Sequence, residues 1–132
     1  MCNTSGKIYE KALEVFLSMM VKDGDINSED MTHALYWWNR LKEYSNGQLT
    51  VPGASVGPDN CIFFAWGNNE HCLDLTINGY YDNEFFYTNT NSYEIVYWSI
   101  DNGCLDTPKT ALYLPYFYRH NNEANGNYLP LK

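Results

Sequence analysis

Residues 61–77 read CIFFAWGNNEHCLDLTI, and this stretch decides the fold class. Apolar residues alternate with others along both of its halves, the period of a strand buried on one face. The halves, Cys61 to Trp66 and His71 to Ile77, flank Gly67-Asn68-Asn69-Glu70. Asn68 and Asn69 are residue types that tolerate the positive φ of a tight hairpin turn. A two-residue turn there sets Trp66 opposite His71, Phe64 opposite Leu73 and Ile62 opposite Leu75; with Ile77 these make one apolar face. Cys61, Phe63, Ala65, Cys72, Asp74 and Thr76 fall on the other face, which is expected to point away from the helices. In this register Cys61 and Cys72 share a face but lie roughly 13 Å apart along the strands, too far for a disulfide.

Upstream the period is helical. Tyr9, Ala12, Leu13, Phe16, Met19 and Met20 give a helix over about residues 7–22 one apolar stripe, and Gly24 suits the left-handed position that ends it. A second helix starts near Asn27 or Ser28, whose side chains accept from free backbone N–H groups, with Glu29 and Asp30 at the positive end of its dipole. Met31, Ala34, Leu35, Trp38 and Leu41 form its expected buried stripe, and Ser45-Asn46-Gly47 stops it. Helices this close form an antiparallel hairpin. Residues 48–60, with Pro52, Gly53, Gly57 and Pro58, read as a connecting loop.

Downstream, two more strands fit residues 84–88 and 94–100, with Asn89-Thr90-Asn91-Ser92 between them. Asn78-Gly79 is a hairpin signal, but a two-residue turn there puts Asp82 and Glu84 opposite Leu75 and Leu73 on the core face. Burying those acids is costly, so a longer loop over residues 78–83 is expected. Residues 101–109 form a turn region. The aromatic stretch from Thr110 to Tyr118 is too apolar for solvent, and it either adds an edge strand up to Leu114 or packs across the domain. Residues 119–132 read as a loosely held C-terminus. The expectation is one α+β domain over residues 1–132. A two-helix hairpin (7–46) packs on an antiparallel sheet of four or five strands plus an aromatic tail (61–118).

Charge is unevenly placed. The net charge is −8, yet no Lys or Arg lies between Glu43 and Asp106, a span that includes Glu70, Asp74, Glu84 and Glu94. The first 42 residues are nearly balanced, with Lys7, Lys11, Lys22, Arg40 and Lys42 against six acids. One half of the molecule therefore projects a negative field that repels nucleic acid and anionic lipid and attracts basic surfaces. The plainer reading of such a surface is solubility. The first residues lack a basic region followed by an apolar run, and the apolar run Ala12 to Val21 is too short to span a bilayer, so a cytoplasmic location is expected.

Catalytic signals are weak. His71 and Cys72 are neighbours in a strand and point to opposite faces, so they do not form a nucleophile–base pair. Cys2, Cys61, Cys72 and Cys104 include no CxxC pair, and His71, Asp74 and Glu84 have no metal-ligand spacing. There is no glycine-rich phosphate loop, and nothing fixes two carboxylates at a glycosidase separation. No catalytic residue, metal ligand or cofactor is assigned. The remaining site is the outer sheet face and its rim. Phe63, Asp74, Thr76, Asp82, Glu84, Tyr87, Glu94 and Tyr97 would offer aromatic anchors amid negative charge to a protein with a basic surface. The alternatives are that these aromatics pack beneath the C-terminal tail, or that aromatics, Asn and carboxylates together make a small carbohydrate- or ligand-binding module.

The stretch from Val51 to Ile77, through Pro52, Pro58, Ile62, Trp66, Leu73 and Leu75, resembles a pattern in small bacterial and phage accessory proteins. In these a helical half precedes a proline-containing loop and a hairpin whose first strand ends in Trp. The likeness covers about half the chain; it departs where Asp59-Asn60 stands in place of Asp-Gly and in the added aromatic tail. The resemblance implies a mobile-element product of the anti-CRISPR or antitoxin kind, a non-enzymatic inhibitor that occupies a nucleic-acid-handling host protein.

Overall fold

The computed structural model describes residues 2–57, 61–80 and 83–119. It is the expected α+β arrangement, an N-terminal helix pair followed by a five-stranded antiparallel sheet. The helices are α1 (Cys2–Lys22) and α2 (Ser28–Tyr44). The strands β1 (Gly53–Val56), β2 (Ile62–Gly67), β3 (His71–Ile77), β4 (Asn83–Asn89) and β5 (Glu94–Ile100) lie in sequence order across the sheet. A short helix α3 (Pro108–Tyr113) and a 3₁₀ turn (Leu114–Phe117) follow. Among the described residues no helix is long and apolar enough to cross a membrane.

The start of α2 is built as its sequence requires. Asn27 caps it by accepting from the Asp30 N–H at 2.8 Å, while the Asp30 carboxylate accepts from the Asn27 N–H at 3.0 Å. Asn46 and Gly47, at φ 53° and 75°, close its far end. Ala34, Trp38 and Leu41 are buried as expected and Met31 and Leu35 partly so, but the helix also buries Trp37 completely. Its indole N–H donates to the Gly79 carbonyl at 2.6 Å, tying α2 to the end of β3.

Helix α1 starts earlier than expected and turns a different stripe inward. Leu13, Leu17 and Met20 are buried, whereas Ala12, Phe16 and Met19 are exposed. Two stripes one residue apart compete on this helix. The inward one has the i, i+4, i+7 spacing that packs against a neighbouring helix. The side chain of Tyr9 lies outside the described residues.

The sheet corrects two expectations and supports a third. Residues 53–56, expected as loop, form the edge strand β1, pairing Gly53 with Ala65 and Val56 with Ile62. Four residues between Pro52 and Gly57 are enough because β2 supplies the ladder. The β2–β3 turn is Asn69-Glu70 rather than Asn68-Asn69, so Phe64 opposes Leu75 and Trp66 opposes Leu73. The Asn68 side-chain oxygen accepts from the His71 N–H at 3.0 Å, which sets this turn without positive φ. A turn moved by one residue shifts the pairing by two, so every side chain keeps its expected face. Between β3 and β4 the longer loop holds, and Glu84 opposes Thr76 on the outer face. Asn83, fully buried, closes that loop by accepting from the Asn78 N–H and donating to the Gly79 carbonyl. Tyr81 and Asp82 lie outside the described residues.

The C-terminal stretch packs across the domain rather than adding a strand. Thr107 caps α3 with Pro108 in its first turn, a favourable start. Tyr113, Leu114 and Phe117 are buried in the same core as the helical hairpin. Residues 120–132 lie outside the described residues.

Leu17→Ala is expected to cost about 2–5 kcal/mol of unfolding free energy. Phe16→Ala, its neighbour on the exposed side of α1, should stay within about 0.5 kcal/mol. Urea denaturation of both variants checks which stripe faces the core.

Candidate functional site

Ladder registers place the outer face in rows. Gly53, Ala65, Asp74, Phe86 and Tyr97 lie across from one another, as do Ser55, Phe63, Thr76, Glu84 and Ser99, and Gly67, Cys72, Thr88 and Ile95. The five strands contain no Lys or Arg, so the face is free of cations. Asp74 is exposed, Phe63, Thr76 and Glu84 are half-buried, and Phe86, Tyr97 and Ile95 are 38%, 56% and 67% exposed. The helical hairpin, α3 and the 3₁₀ turn all pack on the other face, so among the described residues the outer face carries no covering element.

Two groups on this face are tuned by their neighbours. Asp74 stands between Ala65 and Phe86. Loss of water there pushes its carboxyl above the ordinary value even though the residue is exposed. The Tyr97 hydroxyl donates a hydrogen bond to Glu84 across the β4–β5 ladder, and that bond to a carboxylate raises the phenol above its ordinary value. Phe86 packs edge-on to Tyr97 at 5.8 Å. An aromatic pair, a phenol–carboxylate pair and a partly desolvated acid thus sit on one open surface.

Of the sequence-predicted residues, Phe63, Asp74, Thr76, Glu84 and Tyr97 share this face. Tyr87 does not. It is 1% exposed and points into the core, because it alternates with Phe86 and opposes Leu73. It packs against Tyr113 and Tyr116 of the C-terminal stretch, so for this residue the tail-packing alternative holds. Glu94 is exposed but lies at the core-side rim, where its carboxylate accepts from the Tyr113 hydroxyl at 2.8 Å. Asp82 lies outside the described residues. Phe86 and Ile95 were missed; once Glu84 and Tyr97 are set outward, simple alternation finds both.

His71 and Cys72 do point to opposite faces. The His71 ring stacks on Tyr116 at 4.1 Å and shares a hydrogen bond with the Tyr87 hydroxyl at 2.6 Å, whereas Cys72 is exposed. His71 therefore sits across the sheet from Asp74 and Glu84. Cys61, Cys72 and Cys104 are thiols rather than disulfide halves.

Comparison with known proteins finds no matching family model, no matching curated protein and no matching solved structure.

Because its folded pKa is raised, Asp74 in the folded chain holds a proton at pH values where the unfolded chain has released it. Stability contributed at this position is fully present below the ordinary carboxylate value and is lost as pH rises through the folded value. Asp74→Asn is therefore expected to raise the urea midpoint at about pH 7 and to leave it unchanged at about pH 3. Paired denaturation curves at the two pH values check the sign.

Proposed function

We propose that this chain is a non-enzymatic inhibitor that works in the cytoplasm by binding a host protein through the outer face of its sheet. The observation that carries this reading is a cation-free face with exposed Phe86, Tyr97 and Ile95 set among Asp74 and Glu84. Interfaces favour aromatic anchors, and single-sign charge raises the rate of encounter with a partner of opposite sign. The partner is a protein with a basic surface, the kind that handles nucleic acid. The same charge opposes direct binding of nucleic acid or an anionic membrane. The resemblance read in residues 51–77 gives the reading its proposed setting, antagonism of a defence component by a mobile element. One observation favours a second reading. Tyr97 held by Glu84 beside Phe86 is also an arrangement that stacks and hydrogen-bonds a sugar.

Capture from host lysate on immobilised protein, read by mass spectrometry, identifies the partner. Its affinity should fall as salt rises. Asp74→Lys combined with Glu84→Lys should weaken it by about ten- to a hundred-fold, with the circular dichroism spectrum unchanged. A partner held equally well at high salt and by the double variant would overturn the reading. A glycan array that lights up and goes dark with Tyr97→Ala would replace it with the sugar-binding one.

A further inference from the structure

The two edges of the sheet are built differently. β1 is four residues long, lies between Pro52 and Gly57, and exposes little ladder. β5 is seven residues long, EIVYWSI, with no Pro, no Lys and no Gly. Natural edge strands are shortened, charged with Lys, broken by Pro or covered, because an edge is a template for pairing with another chain. β5 has no Lys and no Pro, and its one charged residue, Glu94, stands at its first position. It has a neighbour on one side only, and among the described residues its backbone bonds to nothing beyond β4.

On the outer face Ile95 and Tyr97 stand exposed along the strand, with Glu84 one strand in. Glu94 and Asp101 flank the two ends and are both exposed. Lys109 is the cation of α3, which packs on the core side of β5 through Thr110 and Trp98. The edge is therefore apolar in the middle and acidic around it. A second copy brings the same acids to the same places and is repelled, whereas an extended basic segment meets opposite charge.

We propose that β5 is a docking edge at which an extended, Lys- or Arg-bearing segment of the partner adds as a sixth strand. Backbone hydrogen bonds give the addition its affinity. Alternate side chains, lying over Ile95 and Tyr97 and reaching Glu84, give it specificity. The proposal rests on the protein-binding reading above and names how part of that partner is held.

The test uses the full chain and a short peptide of alternating Lys and Val. In the free chain, the outward amides of β5 are expected to exchange with deuterium faster than those of β3. At saturating peptide they are expected to slow at least ten-fold, while a fully N-methylated peptide of the same charge leaves them unchanged. Ile95→Lys, at an exposed position, should weaken the peptide by about two- to five-fold and Ile95→Glu should strengthen it. Three outcomes overturn the proposal. They are β5 amides that stay fast with peptide present, that slow equally with the N-methylated peptide, or that are slow already in the free chain and become fast on dilution or on removal of residues 120–132. The last would assign the edge to a second copy or to the chain's own end. Salt-dependent capture of a host protein combined with unprotected β5 amides leaves the face reading standing and removes the edge.

Discussion

Both coverings of this sheet dock on the same side. The helical hairpin brings Leu13, Leu17, Trp37 and Leu41 to it, and the C-terminal stretch brings Tyr113, Leu114 and Phe117. Between them they bury Phe64, Trp66, Leu73, Leu75, Phe85, Tyr87 and Trp98 from four strands. Each such side chain contributes about 1.5–3 kcal/mol by leaving water. A slip of one residue in any ladder would turn that set outward and carry Asp74 or Glu84 into the core. Strand parity is thus fixed by the inner face, and the outer face is what parity leaves over.

Three of the four core indoles find an acceptor, and the buried Trp38 N–H has none among the described residues. Trp98 donates to the Thr110 hydroxyl at 2.9 Å, Trp66 to the Thr50 carbonyl at 2.7 Å and Trp37 to the Gly79 carbonyl. Arg40 reaches the Gly103 carbonyl at 2.6 Å, and its guanidinium lies 5.1 Å from the Trp37 ring centre. The Trp37 and Trp66 indoles join the core to loops and the Trp98 indole joins β5 to α3, so these aromatics fix neighbouring segments as well as filling volume. Asn83 does the same work for the β3–β4 loop. It lets the chain turn without placing an acid on the core side.

Much of this was legible in sequence because alternation is a strong signal where one face is apolar. The strands β3 and β5, the caps of α2 and the outward face of Phe63, Asp74 and Thr76 all follow from residue spacing. The β2–β3 turn was misplaced by one residue, yet the faces survived, because pairing shifts in steps of two. What spacing did not show depended on contacts distant in sequence. β1 exists because β2 offers it a ladder, not because Gly53-Ala54-Ser55-Val56 favours a strand. The stripe on α1 was decided by what it meets. Tyr87 looked like a surface anchor only while the register of its strand was open; once Glu84 faces Thr76, Tyr87 must face inward beneath the tail.

The last described residues are held to the middle of the chain by a small clasp. The Thr50 hydroxyl and N–H both reach the Phe117 carbonyl, at 2.9 and 3.1 Å, and Leu49 bridges to Tyr118. The Thr50 carbonyl in turn receives the Trp66 indole. Tension applied to the C-terminal stretch would therefore pass through one threonine to a buried tryptophan of β2. The stretch is less an appendage than a keystone. It anchors the segment that joins the helices to the sheet.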